Sequence, residues 1–69
     1  LMCEFTVYVY EDGTKDRLLV AKNILAAKRK DGRTLLMDAF GSITPVESVT
    51  IEEVNTISQE LILKKIEPE

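Results

Sequence analysis

The one thiol in this sequence is Cys3, near the start of LMCEFTVYVY, and it belongs to a chain with no histidine and no tryptophan. Its position admits more than one chemistry. Cys3 shares strand parity with Phe5 and Val7, and free cysteine is among the most buried residue types, so a packed thiol is one reading. The other is a metal hook. With Met2 as the first residue, the terminal amine, the Cys3 amide nitrogen and the Cys3 sulfur close two five-membered chelate rings on one ion. A thiolate beside deprotonated amide nitrogen favours square-planar nickel(II) or copper(II) over zinc, magnesium or calcium. Ligation requires the thiolate, so binding should release protons and weaken at low pH. A third reading is a redox-responsive dimer linked through Cys3.

Leu1 is not an initiator residue; it reads as a residue left by cloning or processing, with Met2 as the natural start. If Leu1 is retained, Leu1-Met2-Cys3 can offer four donors, an amine, two amides and the thiolate, a set that the added residue itself creates.

The remaining side chains offer little catalysis. Without histidine, no Cys-His or Ser-His nucleophile pair can form and the commonest general base is missing. The adjacent carboxylates Glu11-Asp12 and Glu52-Glu53 would point to opposite faces of a strand and read as solvated surface charge. Gly13, Gly32 and Gly41 are isolated turn residues, not a phosphate cradle. The chain is therefore expected not to be an enzyme. Lys28, Arg29, Lys30 and Arg33 gather four cations around one hairpin tip, and Tyr8 and Tyr10 could supply stacking faces, which keeps an RNA- or protein-binding module as the alternative. A net charge of −3 and a pI near 4.9 argue against nucleic acid, whose affinity rests on neutralising phosphates.

The elements that must position these residues are short strands. Cys3 to Tyr10 alternates, with Cys3, Phe5, Val7 and Val9 on one face and Glu4, Thr6, Tyr8 and Tyr10 on the other. Asp12-Gly13 and Asp31-Gly32 read as hairpin turns. The run LLVAKNILAAKRK from Leu18 to Lys30 also fits a helical stripe, yet Asn23 interrupts it and the turn after Lys30 must close a hairpin on Arg33–Phe40, so two short strands are expected. In Arg33–Phe40, Leu35, Met37 and Ala39 alternate with Thr34, Leu36 and Asp38. Pro45 confines its segment to an edge or loop. The parity break at Val54 predicts a bulge near Glu52-Glu53, while Thr50 with Glu53 also permits a single capped helical turn. Ser58–Ile66 forms the last strand, with Leu61 and Leu63 on one face and Ile62 and Lys64 on the other.

These signals predict an all-β fold, a small SH3-like β-barrel of five to six antiparallel strands spanning residues 1–69 as one domain. A chain this short hides only about 60% of the surface its unfolded form exposes, and a lone cysteine leaves no internal disulfide to reinforce it. One thiol and no histidine also cannot furnish a four-ligand structural zinc site. A homodimer is the expected reinforcement, with Leu36, Ile62 and the Tyr8/Tyr10 face as its candidate apolar surface. No apolar run reaches the roughly 18 residues of a membrane helix, no secretory leader is visible, and a lone thiol fits a reducing cytoplasm.

The pair Met2-Cys3 at the start, the alternating strand Cys3–Tyr10, a length near 65 and the closing pattern VESVTIEEVNTISQELILKKI together resemble the CooT family. These are small nickel-binding proteins associated with maturation of nickel-dependent carbon-monoxide dehydrogenase and formerly described as RNA-binding. The resemblance spans nearly the whole chain. It implies an SH3-like barrel, a homodimer, a nickel enzyme or its maturation proteins as partner, and nickel(II) held through the cysteine after the initiator methionine, Cys3 here. No second side-chain ligand carries over.

Overall fold

The computed structural model describes residues 4–11, 13 and 15–66, and every regular element among them is a strand. The strands are β1 (Phe5–Tyr10), β2 (Arg17–Lys30), β3 (Arg33–Asp38), β4 (Ile43–Glu47), β5 (Val49–Asn55) and β6 (Glu60–Lys65). They form a single sheet in the order β4-β3-β2-β1-β6-β5.

That order corrects two expectations. The sheet is mixed, because β1 and β6 run parallel with Thr6 opposite Glu60 and Tyr10 opposite Lys64. It is also not closed into a barrel: β4 and β5 are the two edges and do not pair with each other. The all-β class and the strand count stand, but the SH3-like closed, wholly antiparallel ladder does not.

The edges are nevertheless brought near one another. Ser48 alone separates β4 from β5, so opposite margins of a six-stranded sheet are joined by one residue and the sheet must curl. Ser48 makes the corner at φ 58°, and its carbonyl accepts a hydrogen bond from the Ile66 amide at 2.8 Å. The curl originates in β2. This is one 14-residue strand, not two, and it serves both halves: residues 17–24 pair with β1 and residues 24–30 with β3. Asn23 does interrupt it, at φ 60°, and a register slip follows between Ile24 and Ala26. Such bulges bend a strand and increase its twist without ending it.

The turn chemistry is legible residue by residue. Asp31 (φ 54°) and Gly32 (φ 76°) make a two-residue turn between paired Lys30 and Arg33, the type I′ geometry that matches strand twist. Gly13 also has positive φ, but the β1–β2 connection runs from Tyr10 to Arg17 and is longer than a tight turn; Asp12 lies outside the described residues. Pro45 sits in edge strand β4 as expected. The predicted bulge appears at Glu52, where Ile51 pairs with Leu63 and Glu53 with Ile62. Thr50 and Glu53 are strand residues, so the capped helical turn does not form.

The core gathers Val7, Val9, Ile24, Leu36, Val49, Leu61 and Leu63 in one cluster, with Phe5, Val20, Ala21 and Val46 packed against it. The expected outward patch is corrected here. Leu36 is 0% exposed and Ile62 only 4%, so neither contributes to a surface. In β3 the inward set is Thr34 and Leu36, while Met37 faces out. A buried threonine is acceptable because its hydroxyl is paired: Arg29 Nη1 donates to Thr34 Oγ1 at 2.9 Å. The same nitrogen donates to the Val49 carbonyl at 2.9 Å, which ties the far half of β2 to the start of β5 across the unpaired seam.

Candidate metal centre

Met2 and Cys3, the predicted metal-binding residues, lie outside the described residues; what the structure places is the start of β1, from Glu4 onward. β1 is flanked on both sides, by β2 and by β6. At its start the Thr6 amide donates to the Gln59 carbonyl at 3.0 Å, Phe5 stands opposite Ile24, and the half-buried Phe5 ring packs on the core. One residue earlier, the Glu4 carboxylate accepts a hydrogen bond from Asn23 Nδ2. The segment that follows Cys3 is thus held from both neighbouring strands.

Among the described residues no three Cys, His, Asp or Glu side chains are grouped so as to hold an ion. The carboxylates have other work. One oxygen of Asp38 accepts from the Phe40 and Ser42 amides at 2.9 and 3.0 Å, closing the β3–β4 turn. Glu53 accepts from Asn55 Nδ2 at 3.1 Å, and Asn55 in turn accepts from the Ile57 and Ser58 amides at the β5–β6 turn. Glu60 receives both terminal nitrogens of Arg17 at 3.4 Å.

Arg17 also lies over the Tyr8 ring, 4.2 Å from its centroid. The Tyr8 face of the sheet is therefore covered by a cation and not offered for base stacking. The hydrogen bond with Glu60 raises the Arg17 pKa above its ordinary value, assisted by the charge of Glu60 and opposed by desolvation. A raised cationic pKa gives stabilisation that is complete below the unfolded pKa and is lost only as pH climbs past the folded one, so Arg17 stays charged across the neutral range. The four hairpin cations do not act as a set. Lys28, Arg29 and Lys30 are all exposed, but the Arg29 guanidinium is engaged by Thr34 and the Val49 carbonyl.

Sequence reasoning missed an apolar cleft of about 230 Å³ lined by Phe5, Ile24, Leu25, Ala26, Ala27, Ile51, Val54 and Leu61. It lies along the seam where the ladder fails to close, between the second half of β2 and β5. No local pattern signals it, because four separate strands contribute its walls. Two large apolar side chains also stand almost fully in solvent at the turns, Phe40 at 95% and Ile57 at 96% exposure. No helix among the described residues is long and apolar enough to cross a membrane.

The architecture is a curled, open mixed sheet with its first strand inside the sheet, between β2 and β6. It superposes on a crystal structure from Carboxydothermus hydrogenoformans described as a candidate CooT with a TM-score of 0.78, at 15% sequence identity, over 94% of this chain and 100% of that one. No curated protein sequence is similar enough to count as a relative. The family model for the CO dehydrogenase accessory protein CooT matches residues 2–64, and this chain belongs to that family.

Proposed function

We propose that this protein is a nickel(II)-binding accessory protein that holds the ion through the Cys3 thiolate and adjacent backbone nitrogen, including the amine of Met2 when Met2 is the first residue. Nickel is its cargo. The protein acts as a chaperone that supports nickel insertion into carbon-monoxide dehydrogenase or a related nickel enzyme, with that enzyme or its maturation proteins as partner. It works in the cytoplasm, as a homodimer, and without catalysis of its own.

The observation that carries this reading is the family match, which begins at Met2 and includes Cys3. Two features of the molecule support it. The grouped donors that zinc, calcium or magnesium would require are not found among the described residues, whereas the soft thiolate suits nickel. The residues after Cys3 are also fixed by Glu4 and Thr6, so a chelate formed there starts from an ordered base. The dimer is supported by the small core and by exposed Leu18, Leu19, Ile51 and Val54.

Titration with nickel, followed by sulfur-to-metal charge-transfer absorption, tests the site. Cys3→Ser should abolish stoichiometric binding and leave the far-ultraviolet circular dichroism unchanged; a serine variant that binds as tightly as the parent refutes the assignment. Sedimentation of the same samples as single chains would refute the dimer.

A further inference from the structure

We infer that the free edge of β5 is a docking site for an extended segment of another protein, one that alternates apolar with basic side chains and adds to the sheet as a further strand. This surface serves the partner proposed above and does not depend on nickel. β5 ends the sheet and pairs only with β6. The direction of its peptide groups follows from the ladder. The Ile66 amide donates to the Ser48 carbonyl, so Ser48 and, two residues on, Thr50 face β6, while Val49 and Ile51 turn their peptide groups to the open side. Arg29 donates to the Val49 carbonyl at 2.9 Å. The amide and carbonyl of Ile51 have no hydrogen-bond partner among the described residues. Such an edge is a template for pairing with another chain unless something blocks it. Pro45 blocks β4, the opposite edge; β5 contains no proline.

The side chains of β5 define what fits there. Ile51 and Val54, opposite Leu63 and Leu61, line the apolar cleft together with Leu25, Ala26 and Ala27, and they remain 41% and 58% exposed. Arg29 bridges the seam at Val49, so the cleft opens beyond that point, beside Ile51 to Val54. A strand laid against this edge drops every second side chain into the cleft; the main-chain bonds supply affinity and the cleft selects apolar groups. Its other side chains meet the outer face, where exposed Glu53 stands beside exposed Glu52, the extra residue of the bulge. Lys64 faces the same way from β6, opposite Thr50, one strand further from the edge. Opposite charges across a ladder attract and like charges repel, so the docking strand carries lysine or arginine at its outward positions. A second copy of this chain is a poor occupant. Antiparallel β5–β5 pairing in full overlap sets Glu52 and Glu53 against their counterparts, and a β4 edge brings Pro45 and Glu47. Exposed Leu18 and Leu19, on the first half of β2, remain for the homodimer.

The probe is a peptide of about eight residues, an ordinary strand length, that alternates valine with lysine and is blocked at both ends. It is titrated into the full chain and followed by amide chemical shifts, which should move at Ile51 to Asn55 and at Leu25 to Ala27. A peptide alternating valine with glutamate should bind at least about tenfold more weakly, because its cross-strand charge pairs turn from attractive to repulsive. Glu52→Lys combined with Glu53→Lys, both at exposed positions, should reverse that preference. The lysine peptide N-methylated along its centre keeps its side chains, loses its ladder donors and should also bind at least about tenfold more weakly. Equal binding of the N-methylated peptide overturns strand addition, and equal binding of the glutamate peptide overturns the basic partner. A lysine peptide that causes no shifts at about 1 mM, the weak end of association, or that shifts the Tyr8 face instead, overturns the site. Shifts at Ile51 and Val54 on concentrating the protein alone assign the edge to a second copy and overturn the inference as well. Each of these outcomes leaves the nickel reading intact, since that is decided by the Cys3→Ser titration.

Discussion

Arg29→Met should be the most destabilising change available at an exposed position. The methionine keeps the apolar stem and removes the donors. In the parent, one nitrogen of Arg29 donates to Thr34 Oγ1 and to the Val49 carbonyl, both at 2.9 Å, and the residues that accept are 0% and 1% exposed. A hydrogen bond from a charged donor contributes about 1.5–3 kcal/mol, and a buried acceptor left unpaired costs a similar amount. The bonds are only partly buried, so the lower end applies, and the pair should be worth about 2–3 kcal/mol. At about 0.05–0.15 kcal/mol per residue, that is a large share of what a chain of this size possesses. A melting midpoint about 10–20 °C lower follows from the usual 4–8 °C per kcal/mol. Urea unfolding followed by far-ultraviolet circular dichroism measures it, with Lys28→Met as the control, since exposed Lys28 should shift stability by less than about 0.5 kcal/mol. If Arg29→Met is as mild as its neighbour, the seam is not held by this side chain.

Leu36→Ala should cost about 2–5 kcal/mol because Leu36 is fully buried, whereas Leu35→Ala, on the opposite face, should cost much less; chemical denaturation that ranks them the other way would reverse the faces of β3. Gly32→Ala places a β-carbon at φ 76° and should lose about 1 kcal/mol through strain alone, as nothing lies within 4 Å to clash; an unchanged melting midpoint would contradict the turn assignment. Nickel affinity should fall as pH is lowered from 8 to about 6, because the ordinary thiol pKa is about 8.5 and the ion must displace its proton. Titration in buffers of different ionisation enthalpy should register proton release, and its absence would exclude thiolate ligation.

The strands were legible in the sequence because alternation and turn residues are local signals. Asp31-Gly32 set the β2–β3 register, Pro45 marked an edge, and the parity break at Val54 located the bulge at Glu52. What escaped was set by contacts distant in sequence. The faces of β3 were misread because Leu35 and Met37 carry more apolar surface than Thr34 and Leu36; the choice is decided by Arg29, whose guanidinium makes a buried threonine tolerable. β2 looked like two strands because Asn23 interrupts it, but an asparagine at positive φ bends a strand that pairing on both sides then carries through. The parallel β1–β6 pair had no signature either, since parallel partners need no connecting turn. Met2 and Cys3, the residues to which the sequence pointed, lie outside the described residues, and the contact between Asn23 and Glu4 across the β1–β2 hairpin is one that neither segment announces alone.

The parallel pair has a structural consequence. In an all-antiparallel meander the first strand would be an edge, and a thiol preceding it would hang from the least protected margin of the sheet. Insertion of β6 beside β1 places the first strand at the centre, between β2 and β6. Its opening residues are then held from two sides, by Gln59 through the Thr6 amide and by Asn23 through Glu4. Edge strands fray first, and central ones open only with the global unfolding of the domain. The connectivity thus gives a chain with a small core one well-anchored point, the start of β1.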